Sequence, residues 1–103
     1  MKFLLLVRVH EDLAPGEFVD PEPWIAEAGT RRLEGGPLAW KSDATTVRDS
    51  GALVSDGPFA ETKEQVAGYD VLECADLAEA VAIAARHPVA AFGAIEVRPF
   101  WTA

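Results

Sequence analysis

The stretch Lys2-Phe3-Leu4-Leu5-Leu6-Val7-Arg8-Val9-His10 decides the fold. At the two-residue period of a strand, Phe3, Leu5, Val7 and Val9 form one row, and Leu4, Leu6, Arg8 and His10 the other. Both rows are apolar at their centres. A strand with one face in water alternates apolar with polar residues, so this one is expected to be covered on both sides. A helix layer supplies one cover. The other is expected to be a second copy of the chain. The run is too short for a membrane span or a signal-peptide core, and Arg8 interrupts it.

Outward from that strand, Glu11 to Gly16 is an acidic, Pro/Gly-bearing boundary. Asp20-Pro21-Glu22-Pro23 then reads as a helix start, with acid in the first turn. Trp24, Ile25 and Ala28 lie on one face of that helix, which is expected to end at Gly35-Gly36-Pro37. A short strand is expected over Leu38 to Lys41. A hairpin follows, with strands over 45–48 and 52–55 and a turn at Asp49-Ser50-Gly51. A helical turn is expected near 60–65 and a strand over Gly68 to Cys74. Asp76 and Glu79 form a capping-box pattern ahead of Leu77, Ala80, Val81 and Ala84 at helical spacing, and Pro88 stops that helix. Ala94 to Phe100 is the last strand. This β-α-β(hairpin)-β-α-β order predicts one α+β domain over residues 1–103, a ferredoxin-like sandwich forming a dimeric α+β barrel.

The chain of 103 residues carries 17 acidic and 9 basic side chains, a formal charge of −8. Nucleic acid and anionic membranes are polyanions, and no Lys/Arg run offsets the repulsion, so neither is an expected partner. One cysteine, Cys74, excludes an internal disulfide and fits a reducing cytoplasm. Its alternation with Leu72 makes it a small core hydrophobe. Two distant histidines do not make a metal site, and no Gly-rich loop joins a strand to a helix for a nucleotide. No metal and no cofactor is expected.

The chemistry-bearing residues fall into two sets. Arg8 and Arg98 share parity with Glu96 on neighbouring strands, and Tyr69 joins them if it falls on the same face. With Lys63 they make a candidate cleft for a small organic anion. The alternative is that Glu96 pairs with the arginines at a subunit interface. The candidate proton-moving groups are Asp56, Glu64 and His87. Asp56 stands before Gly57 and also fits a turn cap. Lys63 and Glu64 also fit a solvated charged turn. His87, near a helix C-terminus where an imidazolium is favoured, also fits a structural role. Gly57 is expected at positive φ.

Ser55-Asp56-Gly57-Pro58-Phe59-Ala60-Glu61-Thr62-Lys63-Glu64 resembles the motif that names the DGPF domain, a branch of the YCII-related superfamily. Gly68-Tyr69-Asp70-Val71, Ala84-Ala85-Arg86-His87-Pro88 and Gly93-Ala94-Ile95-Glu96-Val97-Arg98-Pro99 extend the resemblance. It implies a dimeric α+β barrel, and two classes of function. One is cofactor-free acid–base catalysis of lyase or isomerase type, since a dechlorinating lyase belongs to the group. The other is a non-catalytic ligand-binding or regulatory module linked to sigma factors. The resemblance also implies a His–Asp dyad with the His in the first helix. This chain has no His between residues 11 and 86, so any proton-moving group must be another.

Overall fold

The computed structural model describes residues 1–13, 19–60 and 62–102. Along them run β1 (Lys2–His10), α1 (Glu22–Ala28), β2 (Arg32–Pro37), β3 (Thr45–Arg48), β4 (Leu53–Asp56), β5 (Glu64–Glu73), α2 (Leu77–Ala85) and β6 (Ala94–Pro99). Four strands form one antiparallel sheet in the order β2-β5-β1-β6, and β3 pairs with β4 alone. The class is α+β, as the order of elements predicts.

The two rows of β1 separate as their parity requires. Phe3, Leu5, Val7 and Val9 are buried, and Leu4, Leu6 and Arg8 are half-buried. On the inner face, Phe3, Leu5 and Leu72 pack with Trp24 and Ala28 of α1 and Ala80 and Ala84 of α2. Both helices therefore cover the same face of the sheet. Cys74 joins this core at 4% exposure, and burial pushes its thiol pKa up, so it is the inert hydrophobe expected. Ile95 and Val97 of β6 pack against the same cluster. Register puts Leu4, Leu6, Val71, Tyr69, Glu96 and Arg98 on the opposite, open face.

The caps explain where α2 begins. Asp76 accepts a hydrogen bond from the Glu79 N–H at 2.9 Å, as its cap pattern predicts. Glu79 reaches back to the Ala75 N–H at 3.1 Å, one residue earlier than the usual box. Gly57 has φ +95, the left-handed geometry expected of it.

Three expectations of local structure are corrected. The first helix ends at Ala28, not at Gly35-Gly36, because Gly29 turns to φ +58 and its N–H caps the Ile25 carbonyl. Residues 32–37 then pair with β5 as an edge strand, so the short strand expected over 38–41 gives way to β2. Around residue 60 the described residues show bends and no helical turn, and β5 starts at Glu64, four residues before the expected strand. Pro15-Gly16 and Glu61 lie outside the described residues.

The β1–β5 ladder carries one irregularity beside the inner face. Val7 pairs with Gly68 but Arg8 pairs with Val66, so Ala67 is an extra residue between them. Ala67 consequently packs with Val7, Val9 and Val89, on the helix side of the sheet.

Candidate functional site

A cavity of about 770 Å³ lies between β1, β2 and β5 on one side and α1 and the segment after α2 on the other. Val7, Val9, Trp24, Trp40, Val89 and Phe92 supply apolar wall. Asp70, Arg32 and His87 supply its inner polar groups.

Register alone brings Asp70 here. It pairs with Leu5 and so points to the inner face, 5% exposed, among core residues. Arg32 Nε donates to Asp70 Oδ1 at 2.7 Å. Burial is the larger influence on Asp70 and raises its pKa, while the guanidinium pulls it back down. The pair lies across Gly35. A Cβ built on Gly35 would stand 2.3 Å from Asp70 Oδ1, 2.5 Å from the Tyr69 carbonyl oxygen and 2.8 Å from Arg32 Nη2. Glycine is what lets the pair reach the cavity.

His87 is 6% exposed and follows α2 by two residues. Its ring meets the Trp24 indole edge-on, centroids 4.7 Å apart, and Trp24 is held by its own Nε1–H donating to the Ile83 carbonyl at 2.9 Å. His87 Nδ1 accepts the Val89 N–H at 3.0 Å. That bond needs a lone pair on Nδ1, so the ring proton resides on Nε2. Burial lowers the His87 pKa, which keeps the ring neutral. The imidazolium expected from the helix dipole is therefore not the resting form. Nε2 has no hydrogen-bond partner among the described residues, and no buried side-chain nitrogen or oxygen there is both sealed and unpaired. Nε2 and, by the same reasoning, Asp70 Oδ2 therefore keep some exposure, and both side chains line the cavity.

The other predicted residues are dispersed. Arg8, Tyr69 and Arg98 do share the open face of the sheet. Both arginines there are held by Glu96: Arg8 Nε and Nη2 lie 3.1 and 2.9 Å from Oε1, and Arg98 donates to Oε2. The arginines, Arg8 first, hold the Glu96 carboxyl below the usual carboxylate range. Within the chain, Glu96 therefore ion-pairs with both arginines. Tyr69 also borders the cavity. It pairs with Leu6, so its ring belongs to the open face and its main chain to the cavity. Asp56 is exposed at the end of β4, and Lys63 and Glu64 are exposed where β5 begins. Phe59 is 75% exposed, with the Arg48 guanidinium 4.7 Å from its ring centroid. The structure does not bring Asp56, Glu64 and His87 together.

Arg32, Asp70, Trp24 and Trp40 are the cavity residues that sequence reading missed as a group. An acid on the inward parity of β5, between Gly68 and Leu72, is the signal that could have found Asp70. Among the described residues no cluster of three or more His, Cys, Asp or Glu could hold a metal ion. No helix among them is long and apolar enough to cross a membrane.

A family model described as the YCII-related domain matches residues 1–102. A curated protein of Rhizobium meliloti (strain 1021), described as uncharacterized, is 47% identical over 60 residues. That alignment covers 54% of this chain and 48% of the relative, so the match spans about half of each.

Proposed function

This chain belongs to the YCII-related family, and from that premise we propose that it is a small-molecule-binding protein whose site is the cavity over β2 and β5. One observation carries the reading. An apolar cavity of about 770 Å³ is lined by His87, Asp70 and Arg32, and His87 Nε2–H, Asp70 Oδ2 and the Arg32 Nη atoms have no hydrogen-bond partner among the described residues. Pockets that bind small molecules are apolar, measure about 300–1,000 Å³, and carry a few converging polar groups. Where a reaction follows binding, His87 is the donor to a substrate oxygen and Asp70 the group that accepts a proton. That is chemistry of the cofactor-free lyase or isomerase type.

The same proposal treats residues 1–103 as one ferredoxin-like domain that works as a homodimer. Support comes from the order β2-β5-β1-β6 with both helices on one face, and from half-buried Leu4 and Leu6 on the other. The second copy is assigned to that open face, away from the cavity. A stable interface of this kind buries at least about 1,000 Å².

A fragment screen followed by 1H–15N NMR tests the site. Fragments that bind are expected to shift Val7, Val9, Val89 and the Trp24 indole together. Hits whose shifts cluster on Leu4, Leu6 and Arg98 would move the site to the other face and sink the proposal.

A further inference from the structure

We infer that this cavity selects an uncharged molecule with a carbonyl-type oxygen and rejects organic anions. The inference rests on the proposed binding function and adds the charge of the ligand. It runs against the expectation of an anion site, which drew on Arg8, Tyr69 and Arg98 of the opposite face and on Lys63 just before β5.

Among the described residues that line the cavity, Arg32 is the one permanent cation, and Asp70 occupies its Nε at 2.7 Å. The Arg32 Nη atoms have no partner among the described residues, but the charge they share is already balanced by Asp70, and turning the guanidinium away would leave a buried carboxylate behind. Around it stand Asp20, Glu22 and Asp43, all exposed at the periphery. Four carboxylates and one guanidinium repel an entering anion. They would draw in an organic cation, but the inner end does not suit one. There His87 presents an N–H, the positive end of a dipole, beside Val7, Val9 and Val89. A charge buried against those walls loses its hydration, and the one inner carboxylate, Asp70, already has Arg32 as its counter-ion.

What His87 fits is an oxygen with a lone pair and no full charge. Its tautomer is fixed by the backbone. Moving the proton to Nδ1 would set it against the Val89 N–H and lose the 3.0 Å bond. Asp70 Oδ2 offers the complementary acceptor, so a ligand with a hydroxyl beside its carbonyl engages both groups.

Three probes with one ring body separate the possibilities: cyclohexanone, cyclohexanecarboxylate and cyclohexylammonium. Each is titrated into the full chain at neutral pH and followed by the Val7, Val9 and Val89 amides. Cyclohexanone is expected to bind at least tenfold more tightly than either ion. The imidazole 15N signals of His87 are expected to show a protonated Nε2 and a bare Nδ1. Replacing His87 by Phe keeps the ring but removes the donor, and should weaken cyclohexanone at least fivefold, whereas His87→Gln retains a donor and most of the binding. Tighter binding of either ion in the cavity, or a proton on Nδ1, overturns the charge rule alone. No cavity shift from any of the three overturns the binding function with it. The tautomer measurement uses the unaltered chain, so it decides the point even if His87→Phe does not fold.

Discussion

Gly35 and Gly36 are neighbours in one edge strand, and the structure gives them opposite fates on substitution. At Gly36 a Cβ meets nothing within 4 Å. At Gly35 it would overlap Asp70 Oδ1, the Tyr69 carbonyl oxygen and Arg32 Nη2, all at 2.8 Å or less. The side chains could be pushed aside, but the carbonyl belongs to β5 and moves only with the sheet. Overpacking of this kind costs about 1–3 kcal/mol, and displacing one partner of a buried ion pair adds about as much again. We therefore expect Gly35→Ala to lose ~3 kcal/mol or more, while Gly36→Ala stays within about 0.5 kcal/mol of the parent. For a domain of this size ~3 kcal/mol lowers the melting temperature by roughly 12 °C or more. Urea titration and thermal melts of the two variants side by side supply the measurement. Equal stability of the two, or a Gly35→Ala melt within about 2 °C of the parent, would refute the claim that the Arg32–Asp70 pair is locked across Gly35.

Other contacts carry expected outcomes of their own. Asp76→Ala removes the side-chain cap of α2 and should cost about 1 kcal/mol in urea unfolding, with Asp76→Asn nearly neutral; equal losses would argue against a capping role. His87 has a pKa below its unfolded value near 6.5, so the unfolded chain takes up its proton first as pH falls. That contribution to stability is present above about pH 6.5 and fades below it. His87→Phe should lose this component of the pH dependence, measured by melts between about pH 7 and 5; an unchanged slope would contradict the neutral, buried ring. For the proposed homodimer, Leu6→Glu puts a charge on the open sheet face and should convert a parent that sediments as a dimer into a monomer at sedimentation equilibrium, with the cavity amides undisturbed. A variant that still sediments as a dimer would remove that face from the interface.

Much of the fold was legible because period and punctuation agreed. β1 shows its two apolar rows outright, α2 has a cap, a stripe and a terminal proline, and β6 alternates Ile95 and Val97 with Glu96 and Arg98. The region between Gly29 and Lys41 was not legible. Gly35-Gly36-Pro37 has the composition of a helix stop, yet the helix ends at Gly29, and β2 is a strand because β5 offers it an open edge. That pairing is a long-range event with no local signature. With no local signature for β2, nothing in the sequence places Arg32, and the inward Asp70 has no partner there to suggest a site. The conspicuous motif drew attention to Asp56, Lys63 and Glu64, which lie exposed on the hairpin and at the end of the sheet. His87 was singled out for its proton, but the Val89 N–H that sets its tautomer comes from a turn the sequence did not announce.

The pairing of β3 with β4 outside the main sheet has a consequence for how the Asp-Gly-Pro-Phe stretch can be studied. A lone two-stranded ribbon is marginal in water. Here Val47, Val54 and Phe59 are exposed, and Gly57 ties the ribbon's two strands to each other, through the Ala44 carbonyl and the Thr46 hydroxyl. Such a unit opens and recloses on its own while the helix-covered core stays shut. Its amides should therefore trade hydrogen for deuterium at a pace set by local opening, far ahead of those in β1 and β5. Gly57→Ala would quicken that pace and leave the melting curve almost where it was. The molecule keeps two clocks, and only the faster one registers the stretch that stands out most in its sequence.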